Sequence, residues 1–278
     1  MYYGSPFYLA MIALLFAGLI AIWYFMKKLS PDKQKLLLFI IMLVNTLQHI
    51  FKWAIYPMYW NQGFTVLSLS TAYNMCALLI LVMPFALFSK STTFRDFMFI
   101  AGAFAGFITN IVPFWHIGKK ISELGWEYVR FYFCHALLFY SGMLPMLLGM
   151  HKISYRRSYK IGFGFLISIC VILLNDIIAI ALGLFDYPLS DLYGSLCKIN
   201  PCMAMKPSAE FPILDKIAKA LSPAAFVGKN RTGAYVPILW YAIPAYIGFT
   251  ILSFTVLSIF DRKNFMKDMK ALRNRLKK

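Results

Sequence analysis

Acidic residues are scarce in this chain: 11 Asp and Glu stand against 28 Lys and Arg in 278 residues. Charge of either sign makes up only 14% of the sequence, while 60% is hydrophobic and 18% aromatic. A soluble domain carries about a quarter charged residues and an apolar share nearer half. A soluble globular fold is therefore excluded, and a mean hydropathy of +0.66 leaves a polytopic membrane protein. Metal-site spacing is missing as well, because neither His-x-x-x-His nor Cys-x-x-Cys occurs, and no motif implies a cofactor. There is no internal repeat, no low-complexity tract and no appended soluble domain. The first residues lack a basic leader and a small-residue cleavage site, which predicts that the first apolar run is retained as a helix. The net charge of +17 does not point to nucleic acid, because the basic residues gather in short segments between apolar runs. There they read as topology signals and contacts with anionic headgroups.

What is present is a series of long apolar runs. Seven spans are predicted: Pro6–Met26, Leu36–Ile55, Leu67–Phe88, Phe97–Trp115, Tyr128–Met150, Ile161–Leu184 and Pro237–Phe260. The fold class is thus an all-α membrane protein, a seven-transmembrane-helix bundle over residues 1–260 with a basic juxtamembrane tail at 261–278. Lys27–Lys35 holds four basic residues, Ser89–Asp96 holds Lys90 and Arg95, Met150–Lys160 holds four more and the tail eight. With seven spans all of these fall on one side, so the positive-inside rule places the N-terminus outside and the C-terminus in the cytoplasm. The outer loop 185–236 is expected to contain an interfacial helix over 212–221, started by Pro212, with Ile213, Leu214, Ile217 and Leu221 forming an apolar stripe. Cys197 and Cys202 in that loop can pair only if that side is oxidising.

Ser68-Leu-Ser-Thr-Ala-Tyr-Asn-Met-Cys76 is the stretch that suggests function. A hydroxyl-rich head with Asn74 and Cys76 runs straight into an apolar tail. Counting about 1.5 Å of rise per residue from the cytoplasmic end of each span puts His49 roughly 20 Å up, Lys52 roughly 24 Å and Cys76 roughly 18 Å. On the same count Asn110 lies roughly 20 Å up, His135 roughly 22 Å, and Asn175 and Asp176 roughly 21–23 Å. Five helices therefore carry polar groups at one level, in the outer half of the bilayer. Asn45, Gln48, His49 and Lys52 follow i, i+3, i+4, i+7 and share a face that must turn inward. A lone charge at mid-helix costs about 2.5–3.5 kcal/mol on insertion scales, so Lys52 and Asp176 are expected to pair. The plain alternative is that the layer is interhelical glue, at about 0.6 kcal/mol for each contact.

A buried thiol is inert unless a base stands beside it, and neutral imidazole at His135 or His49 can take its proton. A Cys–His pair implies acyl transfer through a thioester, with an Asn amide, the Lys52 ammonium or hydroxyls such as Ser70 and Tyr73 stabilising the oxyanion. Cys134, next to His135, projects about 100° away around its helix. Two other readings compete. One is a metal-dependent lipid hydrolase with His49, Cys76, His135 and Asp176 as ligands. The other is a transporter or sensor using Lys52 and Asp176 as a relay.

Gln48-His-Ile-Phe-Lys52, Asn74-Met-Cys76-Ala-Leu-Leu, Phe131-Tyr-Phe-Cys-His135-Ala-Leu-Leu138, and Lys206-Pro207 followed by Ile213-Leu-Asp215 carry a family resemblance. Together they resemble the bacterial YwaF-type integral membrane proteins and the related transmembrane protein 164, an ether-phospholipid acyltransferase. The resemblance spans most of the chain and its seven-helix layout. It implies a catalytic Cys on the third helix and a catalytic His on the fifth, here Cys76 and His135. It further implies transfer of a fatty acyl chain from a phospholipid to a lysophospholipid without acyl-CoA, in a bacterial plasma membrane. Asn200-Pro-Cys-Met203 departs from the pattern, which has Asn followed by aromatics there.

Overall fold

The computed structural model of the chain describes residues 5–60, 63–112, 125–185, 212–221, 227–229, 235–237 and 243–277. Over that range it is a helical membrane protein. The helices are α1 (Pro6–Met26), α2 (Pro31–Ile50), α3 (Lys52–Ile55), α4 (Met75–Phe88), α5 (Thr92–Ile111), α6 (Trp126–Leu147), α7 (Ser158–Ala181), α8 (Pro212–Leu221), α9 (Pro244–Phe260) and α10 (Arg262–Arg275). A two-stranded antiparallel hairpin, β1 (Val227–Lys229) with β2 (Tyr235–Pro237), lies between α8 and α9 in sequence. Among the described residues, three runs are long and apolar enough to cross a membrane: α1, α5 and Tyr155–Ala181, which takes in α7. Ser-Pro pairs open α1 and α2, because proline's fixed φ suits the first helical position. Serine hydroxyls cap α1 and α5, accepting from Tyr8 N at 3.4 Å and Phe94 N at 3.2 Å.

Two of the expected continuous spans are broken. Phe51 leaves the helical region (φ −95°, ψ 14°), so the second span divides into α2 and α3 at Lys52. The third span, expected as one helix from Leu67, is a 3-10 turn over Phe64–Ser70, then extended backbone at Thr71 and Asn74, then α4. Hydroxyl and amide side chains cause that break. The Ser68 and Thr71 hydroxyls bond back to Thr65 O at 2.7 Å and Ser68 O at 2.6 Å, and Asn74 Oδ1 accepts from Ala77 N at 2.9 Å. Each bond serves the backbone in a non-helical shape, and an N-cap must itself be extended. The last expected span also starts later: Pro237 is in β2 and α9 begins at Pro244.

The chain divides into two compact units, Met1–His151 with Leu174–Asp186, and Lys152–Leu173 with Tyr187–Lys278. In the first, α5 and α6 touch backbone to backbone. A Cβ on Gly106 would lie 2.4 Å from Phe139 N and 2.6 Å from the His135 carbonyl, and one on Gly142 would lie 2.3 Å from Ala103 N. Only glycine permits this approach, the usual role of small residues between membrane helices. Pro84 inside α4 has no N–H to give the Ile80 carbonyl, and the Thr46 hydroxyl of α2 supplies that bond at 2.7 Å. An aromatic cluster of Tyr8, Tyr128, Phe131 and Tyr132 joins α1 to the start of α6, where Tyr8 Oη donates to Ile111 O at 2.8 Å. At the other end of α5 and α6, the wholly buried Asp96 meets His151 Nε2 at 2.7 Å, and Arg95 donates to Met150 O at 2.8 Å.

In the second unit, Phe165 of α7 stacks on Phe249 of α9 with ring centroids 3.6 Å apart. The Tyr155 ring packs edge-on against Phe254 and Phe265. Arg156 grips Asp268 of α10 with two bonds of 2.8 and 2.6 Å, and Tyr155 donates to the same carboxylate. The guanidinium holds the Asp268 carboxyl below its usual range.

Candidate functional site

Cys76 is the second residue of α4, half-buried, in the turn where a helix has N–H groups without internal partners and the positive end of its dipole. Its sulfur lies 4.0 Å from Thr109 Oγ1 on α5. His135 on α6 stands close enough for the Cys76 thiol to act on its imidazole, while the hydrogen bonds of that imidazole go to Phe131 O and Cys134. Residues 59 positions apart in the sequence are thus brought near each other, with α5, through Gly106, holding the His135 backbone close on one side. His135 Nδ1 stands 2.7 Å from the Phe131 carbonyl one turn back. That bond assigns the proton to Nδ1 and leaves Nε2 as the basic nitrogen.

Cys134 also belongs here, contrary to the expectation that it projects away. Its sulfur is 3.3 Å from His135 Nδ1 and 3.3 Å from the Phe131 carbonyl. Adjacent positions on a helix diverge at Cα, yet the imidazole turns back along α6 and brings Nδ1 to its neighbour. The Cys134 thiol is buried and donates to that carbonyl, the ordinary state of a thiol packed in a helix. Of the two cysteines, Cys76 alone has the helix N-terminus and partial exposure.

His49 fills a different role from the base considered above. Its Nε2 lies 3.2 Å from the Thr71 carbonyl, and its ring stacks over Tyr73 with an interplanar angle of 9°. It braces the irregular stretch before α4. Asn175 Nδ2 reaches the same stretch, donating to Thr71 Oγ1 at 3.0 Å and to Asp176 Oδ1 at 3.2 Å. Asn45, Gln48 and Tyr56 form a chain from Tyr56 Oη to Gln48 Oε1 (3.2 Å), Gln48 Nε2 to Asn45 Oδ1 (2.8 Å) and Asn45 Nδ2 to the Cys134 carbonyl (3.0 Å). These residues tie α2 to α6. Asn110 is buried and bonds back to Gly106 O at 2.6 Å, and Asn74 is the cap of α4.

The expected Lys52–Asp176 pair is not made. Lys52 is 2% exposed and its ammonium lies 5.1 Å from the Tyr73 ring centroid. Asp176 is wholly buried, turned to Asn175, and its second oxygen has no partner among the described residues. Equal height along two helices does not fix the direction around them. Among the described residues, no three His, Cys, Asp or Glu side chains gather as metal ligands would.

A model of the TMEM164 family matches residues 2–215, a stretch that contains every residue placed above. The chain belongs to the TMEM164 family. No curated protein and no solved structure matches it. The matched stretch of this TMEM164 family member includes Lys206 and Pro207, which, like Cys197 and Cys202, lie outside the described residues. Asp215 falls in α8. Residues not foreseen as part of the site are Cys134, Thr109, Thr71, and the Arg130–Glu127 pair on α6, where Tyr59 Oη also reaches Glu127 Oε2 at 3.4 Å. Opposite charges three residues apart at the start of an apolar helix were the available signal, since charge inside a membrane helix is costly without a purpose.

Proposed function

We propose that the protein is an intramembrane phospholipid acyltransferase that moves a fatty acyl chain from a phospholipid to a lysophospholipid through a thioester on Cys76. The observation that carries this reading is a half-buried thiol in the first turn of α4, near an imidazole whose tautomer is set by the Phe131 carbonyl. His135 Nε2 takes the thiol proton, and the thiolate attacks the ester carbonyl of the donor lipid. The positive end of α4 stabilises the negative charge that develops. The C–O ester bond breaks, the departing alkoxide takes the proton from the imidazolium, and a thioester remains. In the second half, Nε2 takes the proton of the acceptor hydroxyl, the oxygen attacks the thioester, the C–S bond breaks and the thiol is restored. No acyl-CoA enters the cycle.

The setting belongs to the same proposal: seven spans, the N-terminus outside, the C-terminus cytoplasmic, and the site in the outer half of a bacterial plasma membrane. Reporter fusions after Lys35 and Lys160 should both report cytoplasm, and disagreement between them would overturn that topology. The chemistry is tested by trapping an acyl group with an activated lipid ester. The label should sit on Cys76, be released by neutral hydroxylamine, and be absent from Cys76→Ala. His135→Ala should acylate slowly if at all. Full acyl transfer by Cys76→Ala would end the proposal.

A further inference from the structure

Lys52 is a buried charge that no described residue balances. It opens α3, is 2% exposed, and makes no ion pair or hydrogen bond with a described residue; its ammonium rests over Tyr73. The nearby ionic groups are committed to other partners. Glu127 is taken by Arg130, through Nε at 2.6 Å and a second contact from Nη2. Arg130 stands close enough to repel Lys52. Asp176 is turned to Asn175. With Arg130 and Glu127 cancelling and Asp176 turned away, Lys52 is left as a buried positive charge without an ion-pair partner among the described residues.

A cation buried without a counter-charge is disfavoured, and a protein keeps one where a ligand completes it. Tyr73 links Lys52 to the nucleophile: its ring lies under the ammonium, it directly precedes the Asn74 cap of α4, and Cys76 follows two residues later. On the other side, the residues after Lys52 wall a cavity of roughly 500 Å³ lined by Trp53, Ala54, Tyr59, Trp60, Gly63 and Val66. Tyr59 is shared between that cavity and the Glu127–Arg130 pair. A cavity of this size suits a lipid headgroup.

We propose that Lys52 anchors the phosphodiester of a membrane glycerophospholipid, with the headgroup in the cavity walled by Trp53, Tyr59 and Trp60 and the ester chains toward Cys76. The proposal rests on the lipid-acyl reading of Cys76 and His135 and adds the group that holds the donor or acceptor in place. An ammonium is a compact point charge suited to a phosphate, and the phosphate in turn supplies the missing negative charge.

The test uses the full chain carrying Cys76→Ala, so that binding is read without turnover. Equilibrium binding of fluorescent dioleoylphosphatidylcholine in uncharged detergent is compared with that of dioleoylglycerol, which has the same chains and no phosphate. Adding Lys52→Met should weaken phospholipid binding roughly tenfold or more while leaving dioleoylglycerol unchanged, and Lys52→Arg should stay within about threefold. Equal loss for both lipids, or no loss for either, overturns the anchor. Millimolar inorganic phosphate should not displace the phospholipid; displacement would assign the site to free phosphate instead. If Lys52→Met does not fold, solid-state NMR on the Cys76→Ala protein with 15N at lysine Nζ decides. A 31P–15N coupling to bound phospholipid that Lys52→Arg abolishes supports the anchor, and its absence overturns it. A Lys52-dependent lipid site in a protein that never forms a thioester would leave the anchor standing and remove the acyl-transfer reading. Transfer without Lys52-dependent binding would do the reverse.

Discussion

The buried polar groups around His151 and those around Cys76 lie in the same compact unit and are treated in opposite ways. Near His151 the ionic groups are partnered: Asp96 meets the imidazole at 2.7 Å, and Arg95 bonds the Met150 carbonyl through Nη2, with only its Nε left without a described partner. Near Cys76 the network stays open, with Lys52 over an aromatic ring, one oxygen of Asp176 without a described partner, and a half-buried thiol. A closed network fixes helix ends to one another. An open one at similar burial keeps free energy in hand for something that arrives later, which is how binding sites differ from structural polar clusters.

That contrast can be broken by substitution. The largest effect is expected for Asp96→Leu, which leaves His151 buried without its partner and should cost about 3–5 kcal/mol of unfolding free energy. Adding His151→Leu should recover most of the loss, because the pair is then replaced by apolar packing; strictly additive losses would mean the two do not act as a unit. Gly106→Val should cost about 1–3 kcal/mol by forcing α5 off the backbone of α6. Because the His135 carbonyl is one of the atoms displaced, acyl transfer should fall further than stability does, and a variant with full activity would show that the glycine contact does not position the histidine. Lys52→Met should change stability by less than about 1 kcal/mol, in the stabilising direction, since it removes an unbalanced buried charge. A loss like that of Asp96→Leu would show that Lys52 has an internal counter-charge and that the site is closed after all.

The smallest effect is expected outside the membrane helices. The Asp268 carboxyl is held below its usual range by the Arg156 guanidinium, so its contribution is present above the unfolded value of about 3.9 and is lost as pH falls through the lower folded value. Docking of α10, followed by protease protection of the tail, should therefore be slightly weaker in Asp268→Asn at neutral pH and equal to the parent in strong acid. A difference that persists there would mean the contact is not ionic.

Hydropathy made the helices legible, and α1 coincides with its expected span because Ser5, Pro6 and an unbroken apolar run all agree on it. It hid the interruptions for the same reason. Nothing apolar changes at Phe51, and at Asn74 the capping residue was visible but outweighed by the hydrophobic tail behind it. The buried face of α2, with Asn45, Gln48, His49 and Lys52, follows from helical spacing. Partner choice does not. Height along a helix placed Lys52 beside Asp176, whereas the direction around each helix, set by packing, sent one to Tyr73 and the other to Asn175. Cys134 was set aside on Cα geometry alone, which ignores the rotation that brings His135 Nδ1 back to it.

The 14 residues of α4 have a consequence for the membrane around them. At about 1.5 Å per residue the helix reaches roughly 21 Å, some 9 Å less than the hydrocarbon thickness of about 30 Å. The shortfall lies at the Cys76 end, where residues 64–74 continue as irregular backbone that hydrocarbon cannot satisfy. Hydrophobic mismatch of this kind draws the bilayer thinner or lets water in. On the proposed reading, in which α4 belongs to a membrane span and Cys76 carries a thioester, that thioester would meet water as well as a lipid alcohol, and the partition between hydrolysis and transfer would become a property of bilayer thickness. Reconstitution in lipids of increasing chain length should then deepen the mismatch and shift the product ratio toward hydrolysis without any change in the protein.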